Sequence, residues 1–117
     1  MIREAGEDSN ICIISSVAGQ QPGWSGGIYG STKAALDNMI KWMKDELRAD
    51  GIRVNGIAPG LIKTHLSKPI WKTTTVPKDS IGTPEQIASV AATICSADGS
   101  FMNGDTYKVH GGFMPKL

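Results

Sequence analysis

Cysteine is scarce in the 117 residues: Cys12 and Cys95 are the whole complement, with no CxxC pair and no Cys/His cluster around either. That excludes a disulfide-stapled secreted framework and a structural zinc site. Both cysteines are expected to be small buried apolar side chains in a reducing compartment. Long apolar runs are missing too. The run Ile11 to Ile14 is too short for a secretory leader, and nothing approaches the roughly 20 apolar residues of a membrane-spanning helix. Charge of one sign is not in excess either, with Lys+Arg 12 against Asp+Glu 11 and a net charge of +1. A nucleic-acid binder needs a basic face, so that class is set aside. Internal repeats and low-complexity tracts are also absent.

What is present suits one domain of ordinary size. Hydrophobic residues make up 40% and charged ones 20%, and the 14 glycines follow no period, so they punctuate turns. Ile11-Cys12-Ile13-Ile14 reads as a strand buried on both faces. A glycine-rich loop follows, over residues 17–27. From about Ile28 to Arg48 the apolar residues fall at helical spacing, with Gly51 as a stop. Ile52 to Ala58 reads as a second strand, ended by Pro59-Gly60. Residues 61–82 show no clean period and read mostly as loop. Thr83-Pro84-Glu85-Gln86 signals a helix start, with Thr as N-cap, Pro at the first helical position and Gln at the third. That helix should run from Pro84 to about Cys95, and a third strand from Asp105 to Val109. Strand, helix, strand, helix, strand predicts an α/β fold with a parallel sheet.

The long helix holds the main chemical clue. With Tyr29 at zero and about 100° per residue, Lys33, Leu36, Ile40, Met43 and Leu47 all fall within about 40° of it. A phenol and an ammonium thus begin the stripe that Leu36, Ile40 and Leu47 should bury. Burying either group unpaired is costly, although a helix-start Tyr and a snorkelling Lys would satisfy the same spacing. Ser15-Ser16 ends the first strand and Pro59-Gly60 ends the second. Open parallel sheets place their ligands at that edge. Trp42 lies at about 220° on the same wheel, where it either caps the core or meets another subunit. His65 and His110 stand alone, without a carboxylate or nucleophile at motif spacing.

Ser16, twelve intervening residues and then Tyr29-Gly30-Ser31-Thr32-Lys33 resemble the Ser…Tyr-x-x-x-Lys pattern of the short-chain dehydrogenases/reductases. The ordered set strengthens the likeness: Ile13-Ile14-Ser15-Ser16, Lys33-Ala34-Ala35, Ile52-Arg53-Val54-Asn55 and Ala58-Pro59-Gly60-Leu61-Ile62-Lys63-Thr64. Gly82-Thr83-Pro84-Glu85, Asn103-Gly104-Asp105 and Gly111-Gly112 fit the later part of that pattern. Within the family, residues 60–64, Trp71 and the C-terminal Lys-Leu look most like the peroxisomal carbonyl-reductase subgroup.

The resemblance implies the C-terminal part of a Rossmann-type, doubly wound parallel sheet, with three strands and two main helices. It further implies hydride transfer between a nicotinamide cofactor, NADP or NAD, and a small-molecule carbonyl or secondary alcohol. Tyr29 would be the proton donor. Lys33 would favour phenolate over phenol and hold the nicotinamide ribose, and Ser16 would hold the substrate oxygen. Pro59, Gly60, Ile62 and Thr64 would line the nicotinamide. The family's Gly-rich phosphate-binding turn does not occur ahead of Ile11, so residues 1–117 are expected to be a partial domain without the dinucleotide-binding half. A truncated, non-catalytic chain that keeps only a pairing surface is the competing expectation. Pairing into a homo-oligomer would use the helix 28–48. Pro115-Lys116-Leu117 resembles the Ser-Lys-Leu address with Pro at its first position, so the expected location is cytoplasmic or peroxisomal.

Overall fold

The two runs of β-branched residues form the first two strands, β1 (Asn10–Ile14) and β2 (Arg53–Pro59). A computed structural model describes residues 9–23 and 26–113 of the chain. Between the strands lies α1 (Gly26–Leu47), which closes in a single 3₁₀ turn and Gly51 at φ 69°. That left-handed φ carries no strain for glycine and stops the helix where the sequence predicted. After β2 come a short helix α2 (Lys68–Trp71), then α3 (Pro84–Cys95) and β3 (Thr106–Val109). The strands are parallel in the order β1-β2-β3, with Asn10 opposite Arg53 and Gly56 opposite Thr106.

Alternation along β2 places the two helices on opposite faces of the sheet. Val54, Gly56 and Ala58 face α1, and a Cβ on Gly56 would lie 2.4 Å from the Ile40 side chain. Arg53, Asn55 and Ile57 face the other way, and Arg53 reaches the carbonyl of Ile94 near the end of α3. Helices on both faces are what a doubly wound sheet requires. β2 is the centre of the core: Val54, Asn55, Ile57 and Ala58 are fully buried, together with Ile40, Ile52 and Ile94.

The predicted α3 boundaries hold, for a local reason. Thr83 Oγ1 accepts from Gln86 N–H at 3.4 Å and Gln86 Oε1 accepts from Thr83 N–H at 2.9 Å, a complete capping box. β1 differs from its sequence reading. Its residues are half-buried rather than buried on both faces, and Ile14 is 47% exposed, because β1 is an outer strand with β2 on one side. The α1 stripe differs as well: Ile40 is fully buried, Leu36, Met43 and Leu47 are half-buried, and Tyr29 is exposed. Trp42 is 61% exposed, so it does not cap the core.

Two polar features of the IRVN segment and of α1 have opposite energetic signs. The Arg53 guanidinium, although buried, donates to the carbonyls of Gly99 at 2.7 Å, Ile94 at 2.9 Å, Met102 at 3.3 Å and Ser96 at 3.4 Å. It thereby ties the end of α3 and the turn after it to β2. Asp37, by contrast, has both carboxylate oxygens shielded from water with no hydrogen-bond partner. An unsatisfied buried acceptor costs about 1–3 kcal/mol, and Ala is the better helix former. Asp37→Ala is therefore expected to stabilise the chain by about that amount. The urea midpoint should rise with an unchanged slope; a falling midpoint would contradict this account.

Candidate active site

Three side chains singled out by spacing come together around the C-terminal end of β1 and the first turns of α1. Lys33 Nζ donates to the carbonyl of Ile14, the last residue of β1, at 3.2 Å. The same ammonium lies 5.6 Å from the centroid of the Tyr29 ring, one helical turn earlier. Ser15 Oγ donates to the Lys33 carbonyl at 3.1 Å, so α1 and β1 are fastened twice at one point. Buried Ser15 is thus a structural hydroxyl, and the next residue, Ser16, is half-buried. Ser16 Oγ accepts from Ala18 N–H at 3.1 Å and caps a 3₁₀ turn over Val17–Gly19. As an acceptor in that bond, the hydroxyl keeps its own hydrogen for donation elsewhere.

Two glycines make this approach possible, and neither stood out in the sequence as more than a turn residue. A Cβ on Gly19 would lie 2.7 Å from the Lys33 carbonyl carbon, and one on Gly30 would lie 2.8 Å from the Ala18 oxygen. The loop carrying Ser16 therefore lies directly on the α1 backbone beside Lys33. The usable signal was Gly30 inside an otherwise helical pattern, which usually has a packing reason.

The second half of the site is the end of β2 and the segment after it. Gly60 N–H donates to Val109 O at 2.9 Å, and a Cβ on Gly60 would lie 2.8 Å from that of His110. Pro59 ends the strand opposite Val109. Ile62 forms a parallel bridge with Gly82, in which Lys63 N–H and Leu61 C=O make the bonds. The Ile62 N–H consequently points away from Gly82. Its carbonyl accepts from Ser67 Oγ, which also contacts Thr64 Oγ1 at 2.9 Å. Trp71 Nε1 donates to Thr64 O at 3.0 Å, and the Lys63 ammonium covers the Trp71 ring at 4.8 Å. The segment read as loop is thus held by a short helix and a hydroxyl network. His110 stands behind Gly60, with Nδ1 buried and without a hydrogen-bond partner among the described residues.

Cavities flank this edge rather than contain it. One of about 230 Å³ lies between Ile62, Ser80, Gln86 and His110, and one of about 270 Å³ lies beside Gly19, Pro22 and Gly30. Ser16, Tyr29 and Lys33 line neither; Tyr29 is exposed, and Ser16 and Lys33 are half-buried. Among the described residues there is no cluster of three metal-ligating side chains, and no helix is long and apolar enough to cross a membrane. Pro115-Lys116-Leu117 lies outside the described residues.

A family model described as enoyl-(acyl carrier protein) reductase matches residues 1–114. Dehydrogenase/reductase SDR family member 4 of Rattus norvegicus is 39% identical over 116 residues, covering 92% of this chain and 42% of that protein. The chain belongs to the short-chain dehydrogenase/reductase family. It is similar within that family to the member 4 group, in agreement with the subgroup read from residues 60–64 and Trp71. A 7α-hydroxysteroid dehydrogenase solved with NADH and 7-oxo glycochenodeoxycholic acid superimposes with a TM-score of 0.86 at 31% identity, covering 99% of this chain and 48% of that one. A putative 2-deoxy-D-gluconate 3-dehydrogenase from Agrobacterium tumefaciens with bound NADP gives 0.80 at 28% identity, covering 88% and 45%. This short-chain dehydrogenase/reductase chain thus spans less than half the length of these relatives.

Proposed function

We propose that this chain carries the proton-transfer half of a nicotinamide-dependent oxidoreductase acting on a carbonyl or secondary alcohol. The observation that carries the reading is the Lys33 ammonium, fixed between the Tyr29 ring and the Ile14 carbonyl beside the Ser16 loop. With Lys33 held over its ring, Tyr29 would give its hydroxyl proton to a carbonyl oxygen and take it back in reverse. Ser16 donates its hydroxyl hydrogen to the same oxygen and stabilises charge developing there. A nicotinamide cofactor, when bound, supplies or accepts the hydride.

The residues present fit the nicotinamide end of such a cofactor. Lys33 would hold ribose hydroxyls, the outward-pointing Ile62 N–H suits a carboxamide oxygen, and Pro59, Gly60 and Thr64 would line the ring. NADH and NADP both occur in the similar solved structures, so either is proposed. No phosphate-binding turn is found among the described residues, and the adenosine end would have to be gripped elsewhere. A cytoplasmic or peroxisomal location belongs to the same proposal.

A second reading has one observation in its favour. Ile28, Met39 and Trp42 are exposed along α1 at 86%, 38% and 61%, as expected of a pairing surface in a homo-oligomer without catalysis. One assay separates the two readings. The protein is mixed with deuterium-labelled NADH or NADPH and a panel of prochiral ketones. Transfer of deuterium to the carbinol carbon is the expected result in any preparation that also supplies a grip on the adenosine end. No transfer under conditions where light scattering shows a stable oligomer would favour the pairing reading.

A further inference from the structure

Cys12 and Cys95 depart from the bland reading that both are simply buried: Cys95 is exposed and Cys12 only half-buried. They stand 83 positions apart in sequence, yet the fold brings them together. Asn10 Nδ2 donates to the Cys95 carbonyl at 3.2 Å, which fixes the last residue of α3 over the start of β1. Strand alternation puts Cys12 on the same face as Asn10, one pleat further along. The Cys12 thiol is therefore on the side of β1 where the Cys95 backbone is held, near enough for Cys95 to act on it electrostatically. Arg53, holding the Ile94 carbonyl at 2.9 Å, anchors the helix end one residue before Cys95. The helix end that carries Cys95 is therefore braced against β1 and β2 and is not a fraying terminus.

We propose that Cys12 and Cys95 are a modification site that closes to a reversible intramolecular disulfide, stapling β1 to the end of α3. The oxidant is a small-molecule disulfide. Exposed Cys95, as thiolate, attacks one of its sulfurs and expels one small thiol, leaving a mixed disulfide on Cys95. Cys12 then releases its proton to solvent and attacks Cys95 Sγ, expelling the second small thiol. Two cysteine thiols are oxidised and one small disulfide is reduced to two thiols, so atoms and electrons balance. Burial first, and the neighbouring Cys95 second, hold the Cys12 thiol above its usual range, which assigns the attacking role to Cys95 and the resolving role to Cys12. The staple closes a long loop that contains α1 and β2, and it fixes the outer strand from whose end Ser16 projects.

The test is incubation of the purified chain with excess oxidised glutathione, followed by intact mass, thiol titration and thermal melting. Titratable thiols should fall from two to none, with loss of two hydrogens and no glutathione adduct. Tm should rise by about 10 °C and return on reduction. Cys12→Ser should stop at one glutathione on Cys95 with Tm unraised, and Cys95→Ser should leave Cys12 largely unmodified. If either variant fails to fold, the mass of the unsubstituted chain still decides. Two persisting thiols, or a wild-type product that stops at the glutathione adduct, would overturn the proposal. A disulfide that leaves Tm unchanged would overturn the stapling.

Discussion

Tyr29→Phe is expected to lower turnover by at least ~100-fold, the usual scale for losing a general acid, in any preparation that reduces a ketone. The structure makes this substitution unusually clean. Tyr29 is 44% exposed, so removing its hydroxyl opens no core cavity, and the ring that Lys33 covers is retained. Helix α1 keeps its Ile40 anchor against Gly56. What disappears is the transferable proton. The loss should fall on kcat, with KM for the ketone little changed, because the proton moves in the transition state and not on binding. Lys33→Met should raise the Kd of the nicotinamide cofactor as well as lower kcat, since Lys33 is proposed to touch both ribose and phenol. Wild-type turnover by the Tyr29→Phe protein would remove Tyr29 from the chemistry.

Arg53→Met is expected to destabilise the chain by about 3–5 kcal/mol, because several buried carbonyls lose their donor at about 1–3 kcal/mol each. Four carbonyls, those of Ile94, Ser96, Gly99 and Met102, accept hydrogen bonds from this one guanidinium. Methionine matches its stem but supplies no donor, so carbonyls at the end of α3 would be left to water that the packing excludes. Domains are stable by only about 5–15 kcal/mol, so the loss should lower Tm by about 10–20 °C. Exposed Arg48, in the 3₁₀ turn after α1, is the control, and its replacement should change stability by no more than about 0.5 kcal/mol. Equal melting of the two variants would show that the Arg53 hydrogen bonds contribute no more than surface contacts.

Legibility in the sequence followed the range of the interactions. Thr83 and Gln86 are three residues apart, and their capping box placed the start of α3 correctly. Tyr29 and Lys33 are one turn apart, and their juxtaposition could be read from helical geometry alone. The parallel sheet followed from the alternation of apolar periods. Burial of β1 could not be read in this way, because an apolar run does not say whether it lies at the middle or the edge of a sheet. Arg53 and Asn55 looked like part of a family signature, but their work is structural. Asn55 donates to Met102 O at 2.7 Å, and that partner is far along the chain. α2 was missed because Pro69 and three threonines obscure any period over one turn. The approach of the α3 end to β1, through Asn10 and Cys95, was invisible for the same reason as the Arg53 clamp: only the folded topology brings the partners together.

The strand register has a kinetic consequence. β1 meets β2 through residues about forty positions apart, and β2 meets β3 through residues about fifty apart. The helices and 3₁₀ turns, α3 with its own cap and the long α1 above all, can gain structure from neighbours in sequence. Every ladder bond of the sheet must wait for a long segment to close on itself, and that closure entropy is spent before any β2 residue is buried. Refolding of this chain should accordingly be limited by search and not by helix formation, and be slower than in topologies built from local contacts. During that interval helices form and dissolve many times over while Arg53 and Asn55 still lack their distant partners.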